Sequence, residues 1–300
     1  MMAAIDANRN QGNRVGQPEP GAIRRVARSL WASTVAQTVL EQTEVWLPPL
    51  RLLRERVYER EFARPVPWAR RFRGVYSTFE EAMRAAPATK PVGYDNPGAA
   101  GFMQPSRSLS ISDYPVLFWL QKTLQESPAL LDIGGYVGIS YYSYSRYLHY
   151  PKNLEWVIQD VPAVVSAGIE IARNHHSPGL SFTPQITSAL RPQTVLAAGS
   201  LQFIETDFAG LLLQLGSLTR HLIVTQTPLT QLPDFVTLQD LGPAVCPYKI
   251  FNRTKFIESI EALGYKLTDS WENTELHCRI PFHPERAVPS YSGLYFKASR

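Results

Sequence analysis

Short apolar runs alternate with stretches whose apolar positions recur every three or four residues, from about residue 129 to the end of the chain. The runs at 129–132, 156–159, 180–183, 194–198, 221–225, 265–271 and 293–298 predict seven strands. Helical spacing marks 139–148, 162–174 and 255–263, and a further helix is expected over 112–126, with Tyr114, Leu117, Phe118, Leu120 and Leu124 as its packing side. Alternating strand and helix predicts an α/β fold with a mainly parallel sheet covered on both faces. The last two strands leave no room for a helix of any length between them, so they are expected to pair antiparallel.

The chain ahead of this region reads differently. Residues 1–21 are rich in Asn, Gln, Gly and Pro and predict a disordered tail. Over 22–44, Ile23, Val26, Leu30, Val35, Val39 and Leu40 recur at helical spacing with Arg24, Arg25 and Arg28 on another side. A basic, aromatic stretch follows to Arg73, and Ser77 or Thr78 before Glu80 and Glu81 marks a further helix start. The division expected is 1–21, then a helical region 22–125, then an α/β domain 126–300.

Charge sharpens that division. The net charge is +4, yet 15 of the 30 Lys and Arg residues lie in the first 90 positions against nine acids. The basic helices are expected to pack on the domain or to meet a partner or an anionic membrane surface. No run is long and apolar enough to span a bilayer, and Cys246 and Cys278 suffice neither for a disulfide framework nor for a zinc site. A reduced, cytoplasmic protein is expected, with peripheral contact at the inner membrane face open to it and no nucleic-acid or metal role.

Candidate chemistry centres on Leu130-Leu131-Asp132-Ile133-Gly134-Gly135-Tyr136-Val137-Gly138, an apolar strand turning sharply into a helix. Glycines let the backbone approach a ligand, and free N–H groups at the helix start favour an electronegative group. The spacing lacks the register of G-x-G-x-x-G, which weakens an NAD-dependent reading. About two dozen residues on, Asp160 closes the second strand, where an acid reaches ribose hydroxyls. Asp160 is also placed to cap the helix that opens at Pro162, but the paired spacing favours the binding role.

The turn resembles the first motif of class I S-adenosylmethionine (SAM) methyltransferases, with Tyr136 where that family has its middle glycine. Asp160-Val161-Pro162-Ala163-Val164-Val165 resembles the D-L-P-x-V after the second strand of small-molecule O-methyltransferases, although 185–188 lacks their adenine-binding acid. From Trp68 onward the order of FRGVYSTFEEA, GYD, SDYPVLFWL, LLDIGGYVGISYYSY, WVIQDVPAVV, SLQF, CPYKIFNRTKFIESIEALGYKLTDSW and SGLYFKA resembles a bacterial family of SAM-dependent methyltransferases encoded among polysaccharide-biosynthesis genes. The resemblance implies a Rossmann-like seven-stranded sheet, N-terminal helices over the site, SAM as cofactor and O-methylation of a sugar or glycan precursor. It implies Asp132, Gly134, Gly135, Tyr136, Gly138 and Asp160 as cofactor residues. The alternative is a non-catalytic Rossmann-like scaffold in a glycan-assembly complex.

Methyl transfer needs an in-line nucleophile and, for a hydroxyl, a base. His277 and His283, between the last two strands, are the expected bases. Ser200 and Gln202, beyond the fourth strand, are expected to bind the cofactor's amino-acid part or the substrate. The connection 227–253 reads as a long loop opening on the same side, where Gln226, Gln239, Tyr248, Asn252 and Arg253 suit a sugar, with Tyr248, Asn252 and Arg253 as substrate contacts, while Asn252 would also suit the cap of the next helix.

Overall fold

The central strands are buried along nearly their whole length in the computed structural model, which describes residues 48–67, 69–101 and 104–299. In chain order the elements are α1 (Pro48–Ala63), β1 (Arg71–Tyr76), α2 (Phe79–Arg84), α3 (Pro97–Ala100), α4 (Asp113–Glu126), β2 (Ala129–Ile133), α5 (Ile139–Tyr144), β3 (Glu155–Gln159), α6 (Pro162–Asn174), β4 (Leu180–Thr183) and β5 (Thr194–Ala198). They continue with α7 (Phe208–Leu213), β6 (His221–Thr227), β7 (Leu229–Thr230), β8 (Phe235–Asp240), β9 (Val245–Asn252), α8 (Arg253–Glu261), β10 (Tyr265–Asn273) and β11 (Tyr291–Ala298).

Seven strands form one sheet in the order β10-β11-β6-β5-β2-β3-β4. The five from β6 to β4 are parallel, and β11 runs antiparallel to both β6 and β10. Leu131, Ile133, Val195, Ala197, Leu222 and Val224 point to one face, with Phe208, Leu211 and Leu212 of α7 and Phe256 and Ile260 of α8. Leu130, Leu196, Ile223 and Tyr295 point to the other, with Val116, Leu120 and Leu124 of α4 and Tyr141 and Tyr144 of α5. This is the α/β, Rossmann-like seven-stranded sheet that the sequence predicts, closed by its antiparallel pair. The chain leaves β2 for β3 and β4, then returns to β5 on the other side, so β2 and β5 flank the topological switch point.

Two expectations are corrected. The 227–253 connection is no loop: β7, β8 and β9 lie there and, with β1, make a second sheet in the order β1-β8-β9-β7. Every residue of β8 is buried, so it shows no alternation, and polar Thr237, Gln239 and Asp240 disguise it as a loop. Asp240 tolerates burial because Lys90 Nζ lies at 2.6 Å and Arg71 Nη2 at 2.5 Å. The stretch 22–125, expected to be helical, contributes β1 to that sheet.

The remaining helices follow local chemistry. Thr78 Oγ1 accepts from Glu81 N at 3.1 Å and Glu81 Oε2 from Ser77 N at 2.9 Å, as the cap signal at this helix start predicts. Helix α5 stops at Tyr144, four residues before the expected end at Leu148. The tail 1–21 and the helix expected over 22–44 lie outside the described residues. The chain divides into units Met1–Val57 and Tyr58–Arg300. Of the first, residues 48–57 are described, as the leading part of α1. Among the described residues no helix is long and apolar enough to cross a membrane.

Candidate functional site

At the carboxyl end of β2 the chain makes the turn that its glycines require. Gly134 has φ +65°, Tyr136 +54° and Gly138 +101°, so three positions adopt the left-handed conformation. A Cβ on Gly134 would lie 2.3 Å from Ser200 Cβ, and one on Gly135 would lie 2.6 Å from Asp132 Cγ. Close packing, as well as φ, therefore excludes side chains there.

One carboxylate packs against this turn and a second is hydrogen-bonded to it. Asp132 is fully buried; its Oδ2 accepts from Trp156 Nε1 at 3.3 Å, while Oδ1 has no partner. Burial, opposed by the Trp156 bond and reinforced by Asp160, pushes its carboxyl up to about 7. Asp160 accepts from Tyr136 N at 2.9 Å and from Val161 N at 2.8 Å. Burial outweighs those two bonds and pushes it up to about 6. Asp160 thus joins the glycine turn to the start of α6, and its oxygens retain lone pairs for further donors.

Tyr136 fastens a further segment. Its hydroxyl donates to Ala99 O, and Asp95 Oδ1 accepts from Ala163 N of α6 at 3.0 Å. Gly93 N donates to Val245 O at 2.9 Å, tying the other end to β9. The ring of Tyr94 meets Tyr136 edge-on at 6.5 Å and Phe203 at 5.1 Å. Residues 93–99 therefore run from the second sheet across the turn, and nothing in their composition signals it.

Ser200 and Gln202 follow β5 beside the same turn. Ser200 Oγ donates to Ile133 O at 2.5 Å, and Gln202 Nε2 donates to Gly199 O at 2.8 Å, leaving Gln202 Oε1 buried and unpartnered. Asp132, Gly134, Gly135, Tyr136, Gly138, Asp160, Ser200 and Gln202 are therefore brought together around the switch point.

The other candidates lie elsewhere. Exposed His277 adjoins Cys278, which pairs with Val288, and burial of its ring, then Arg70 and Arg279, lower its pKa. His283 faces Glu285 at 3.5 Å, and its neighbour Phe282 packs on Tyr58. No described contact links either histidine to the glycine turn. Tyr248 is buried, hydrogen-bonded to Tyr291 at 2.7 Å and packed on Phe72 and Phe203. Asn252 caps α8, accepting from Lys255 N at 2.9 Å and donating to Leu232 O at 2.9 Å. Arg253 Nη1 donates to Ser292 at 3.1 Å and lies 3.6 Å from Glu272.

One feature escapes sequence reasoning. His221 is buried between Tyr295 and Glu126, but at the amino end of β6, on the edge opposite the turn. Gln226, near the carboxyl end of β6, has φ +54°. The sequence counts Gln226 among the polar groups suited to a sugar, but its left-handed backbone has no signal there.

No protein-family model matches the sequence, and no curated protein matches it. Among solved structures, the chain is similar to a magnesium protoporphyrin IX methyltransferase from Synechocystis PCC 6803 with bound SAM, at 14% identity and TM-score 0.42, over 62% of this chain and 77% of that one. It is similar also to a 1,6-didemethyltoxoflavin-N1-methyltransferase from Burkholderia thailandensis with bound 1,6-didemethyltoxoflavin and S-adenosylhomocysteine, at 17% and 0.43, over 63% and 79%. A third is a SAM-dependent methyltransferase from Methanosarcina mazei, at 12% and 0.44, over 60% and 97%. At these identities and scores the likenesses bear on neither activity nor ligand; strand order and site geometry carry the functional reading.

Proposed function

We propose that this protein is a SAM-dependent methyltransferase whose cofactor lies over the glycine turn at the switch point of the seven-stranded sheet. The observation that carries this is the joining of turn and second-strand acid: Asp160 accepts the Tyr136 N–H while keeping lone pairs for ribose hydroxyls. The residues present fit such a ligand. Gly134 and Gly135 pack too closely for side chains, and the unpartnered Asp132 Oδ1 is an acceptor beside the turn. Bound SAM would supply a methyl group made electrophilic by its sulfonium. The chain's own residues orient and enclose: Asp160 bonds the turn, Asp132 packs against Gly135, Ser200 supports the turn from β5, and residues 93–99 keep water from one side.

On this reading the acceptor is a small molecule, and resemblance to polysaccharide-locus methyltransferases favours hydroxyl oxygen of a sugar or glycan precursor. Expected bases His277 and His283 then belong to a loop that would need to close toward the site. A second reading, the glycan-assembly scaffold, is favoured by one observation: Tyr136 puts a buried side chain into the turn and bonds it to Ala99.

Calorimetric titration of S-adenosylhomocysteine into the full chain separates the two. Micromolar binding that weakens at least tenfold in a folded Asp160→Ala variant supports the enzyme; no binding by folded wild type leaves the scaffold.

A further inference from the structure

Between the pairs Thr227–Ser292 and Val224–Leu294, β6 takes three steps where β11 takes two. The extra residue is a β-bulge, and Gln226, with φ +54°, lies in it. A left-handed glutamine is disfavoured unless its surroundings impose it, and bulges commonly re-aim a side chain beside a site. Here the side chain is aimed at the carboxyl end of β5. Gln226 Oε1 lies 3.1 Å from where a Gly199 Cβ would be, and Nε2 lies 3.5 Å from Ser112 Oγ.

That 3.5 Å contact is at the outer limit of a hydrogen bond, so the Gln226 amide donors are barely engaged. Ser112 is itself held elsewhere, by Asn273 Nδ2 at 2.9 Å and Ser110 Oγ at 2.9 Å. Gln202 stands beside the same position, its Nε2 3.9 Å from where a Gly199 Cβ would be; it is 4% exposed, with Nε2 used by Gly199 O and Oε1 without a partner. A buried carboxamide oxygen left unpaired is costly, and native proteins pair nearly all of them. Ala198, Gly199 and Gln226 are only half-buried, so the end of β5 reaches the surface here, one residue from the Ser200 that packs on Gly134.

The two amides offer one free acceptor, Gln202 Oε1, and on Gln226 Nε2 an N–H beyond the long contact to Ser112. A hydroxyl satisfies both at once; an ionised carboxylate or phosphate has no proton for Gln202, and an ammonium has no lone pair for Gln226. We propose that Gln226 and Gln202 are the acceptor-reading pair of this site and select an uncharged, hydroxyl-bearing acceptor, with Gln226 as its specificity-determining residue. This rests on the SAM-dependent reading above, and it moves acceptor recognition from Tyr248, Asn252 and Arg253 to the ends of β5 and β6.

The test is saturation-transfer NMR on the full chain with and without saturating S-adenosylhomocysteine. The probes are methyl glucoside, methyl galactoside and methyl mannoside, set against glucuronate and glucose 6-phosphate. At least one neutral glycoside should bind in preference to both anions and lose at least fivefold of its signal in Gln226→Leu and Gln202→Leu. S-adenosylhomocysteine affinity should stay within twofold in Gln226→Leu. Gln226→Gly guards against misfolding, since glycine suits the left-handed bulge; it should fold as well as wild type and still lose the glycoside. Preference for the anions, no glycoside signal on wild type, a signal that survives Gln226→Gly, or a tenfold loss of S-adenosylhomocysteine affinity in Gln226→Leu would each overturn the proposal. If folded wild type binds no S-adenosylhomocysteine, the methyltransferase reading fails, and the glycoside signal without it still decides the glutamine pair.

Discussion

The backbone N–H of Tyr136 donates to Asp160 Oδ2 at 2.9 Å, so the acid that ends one strand fixes the shape of the turn at the end of its neighbour. Asp160→Asn keeps an acceptor for only one of the two N–H groups now bonded and turns a donor toward the other. Loss of a hydrogen bond to a charged group costs about 1.5–3 kcal/mol. We expect S-adenosylhomocysteine affinity to fall at least tenfold while circular dichroism stays native. Unchanged affinity in calorimetry would remove Asp160 from the site.

Asp132 makes stability depend on pH in a definite direction. Its folded pKa, about 7, lies above the ordinary carboxylate value, so the native state holds a proton that the unfolded chain releases. Stability from this group is therefore full below about pH 4 and is lost as pH rises toward 7, at up to about 1.4 kcal/mol per unit. Asp132→Asn, which keeps an oxygen for Trp156, should remove that slope. Urea unfolding at pH 5, 6, 7 and 8 should show the variant gaining on wild type up to about pH 7. Parallel curves would contradict the assignment.

Gly135 and Asp132 should be energetically coupled, because a Cβ at 135 would lie 2.6 Å from Asp132 Cγ. Overpacking of this kind costs about 1–3 kcal/mol. Gly135→Ala is expected to destabilise by that amount in wild type and by clearly less in an Asp132→Ala background. Additive effects in the double-mutant cycle would mean that the turn moves away freely.

Tyr136→Phe removes one hydroxyl, the donor to Ala99 O, and leaves the ring in place. A loss of about 1 kcal/mol is expected, as for one hydrogen bond. Faster amide exchange should be confined to residues 93–101. Exchange rising equally across β2, β5 and β6 would show instead that the hydroxyl supports the whole sheet.

The parallel strands and most of their helices were legible because short apolar runs alternate with stretches of helical spacing; both strand faces are covered, with Leu131, Val195 and Leu222 on one side and Leu130, Leu196 and Ile223 on the other. The glycine turn was legible for a related reason, since a strand followed at once by Gly134, Gly135 and Gly138 has few other uses. Asp160 was found by its place at a strand end. These features depend on near neighbours in the chain, whose effect on backbone and burial is local.

Tertiary structure alone decided the rest. The second sheet joins β1 to β8 across more than 150 residues, and buried Asp240 is tolerable only because Lys90 and Arg71 arrive from that distance. Tyr248 became a buried packing residue through partners that local spacing does not reveal. The turn of Gln226 toward Gly199 arises from a one-residue slip against β11. Side-chain direction at a bulge is set by the partner strand's register, and no single segment of sequence contains both strands.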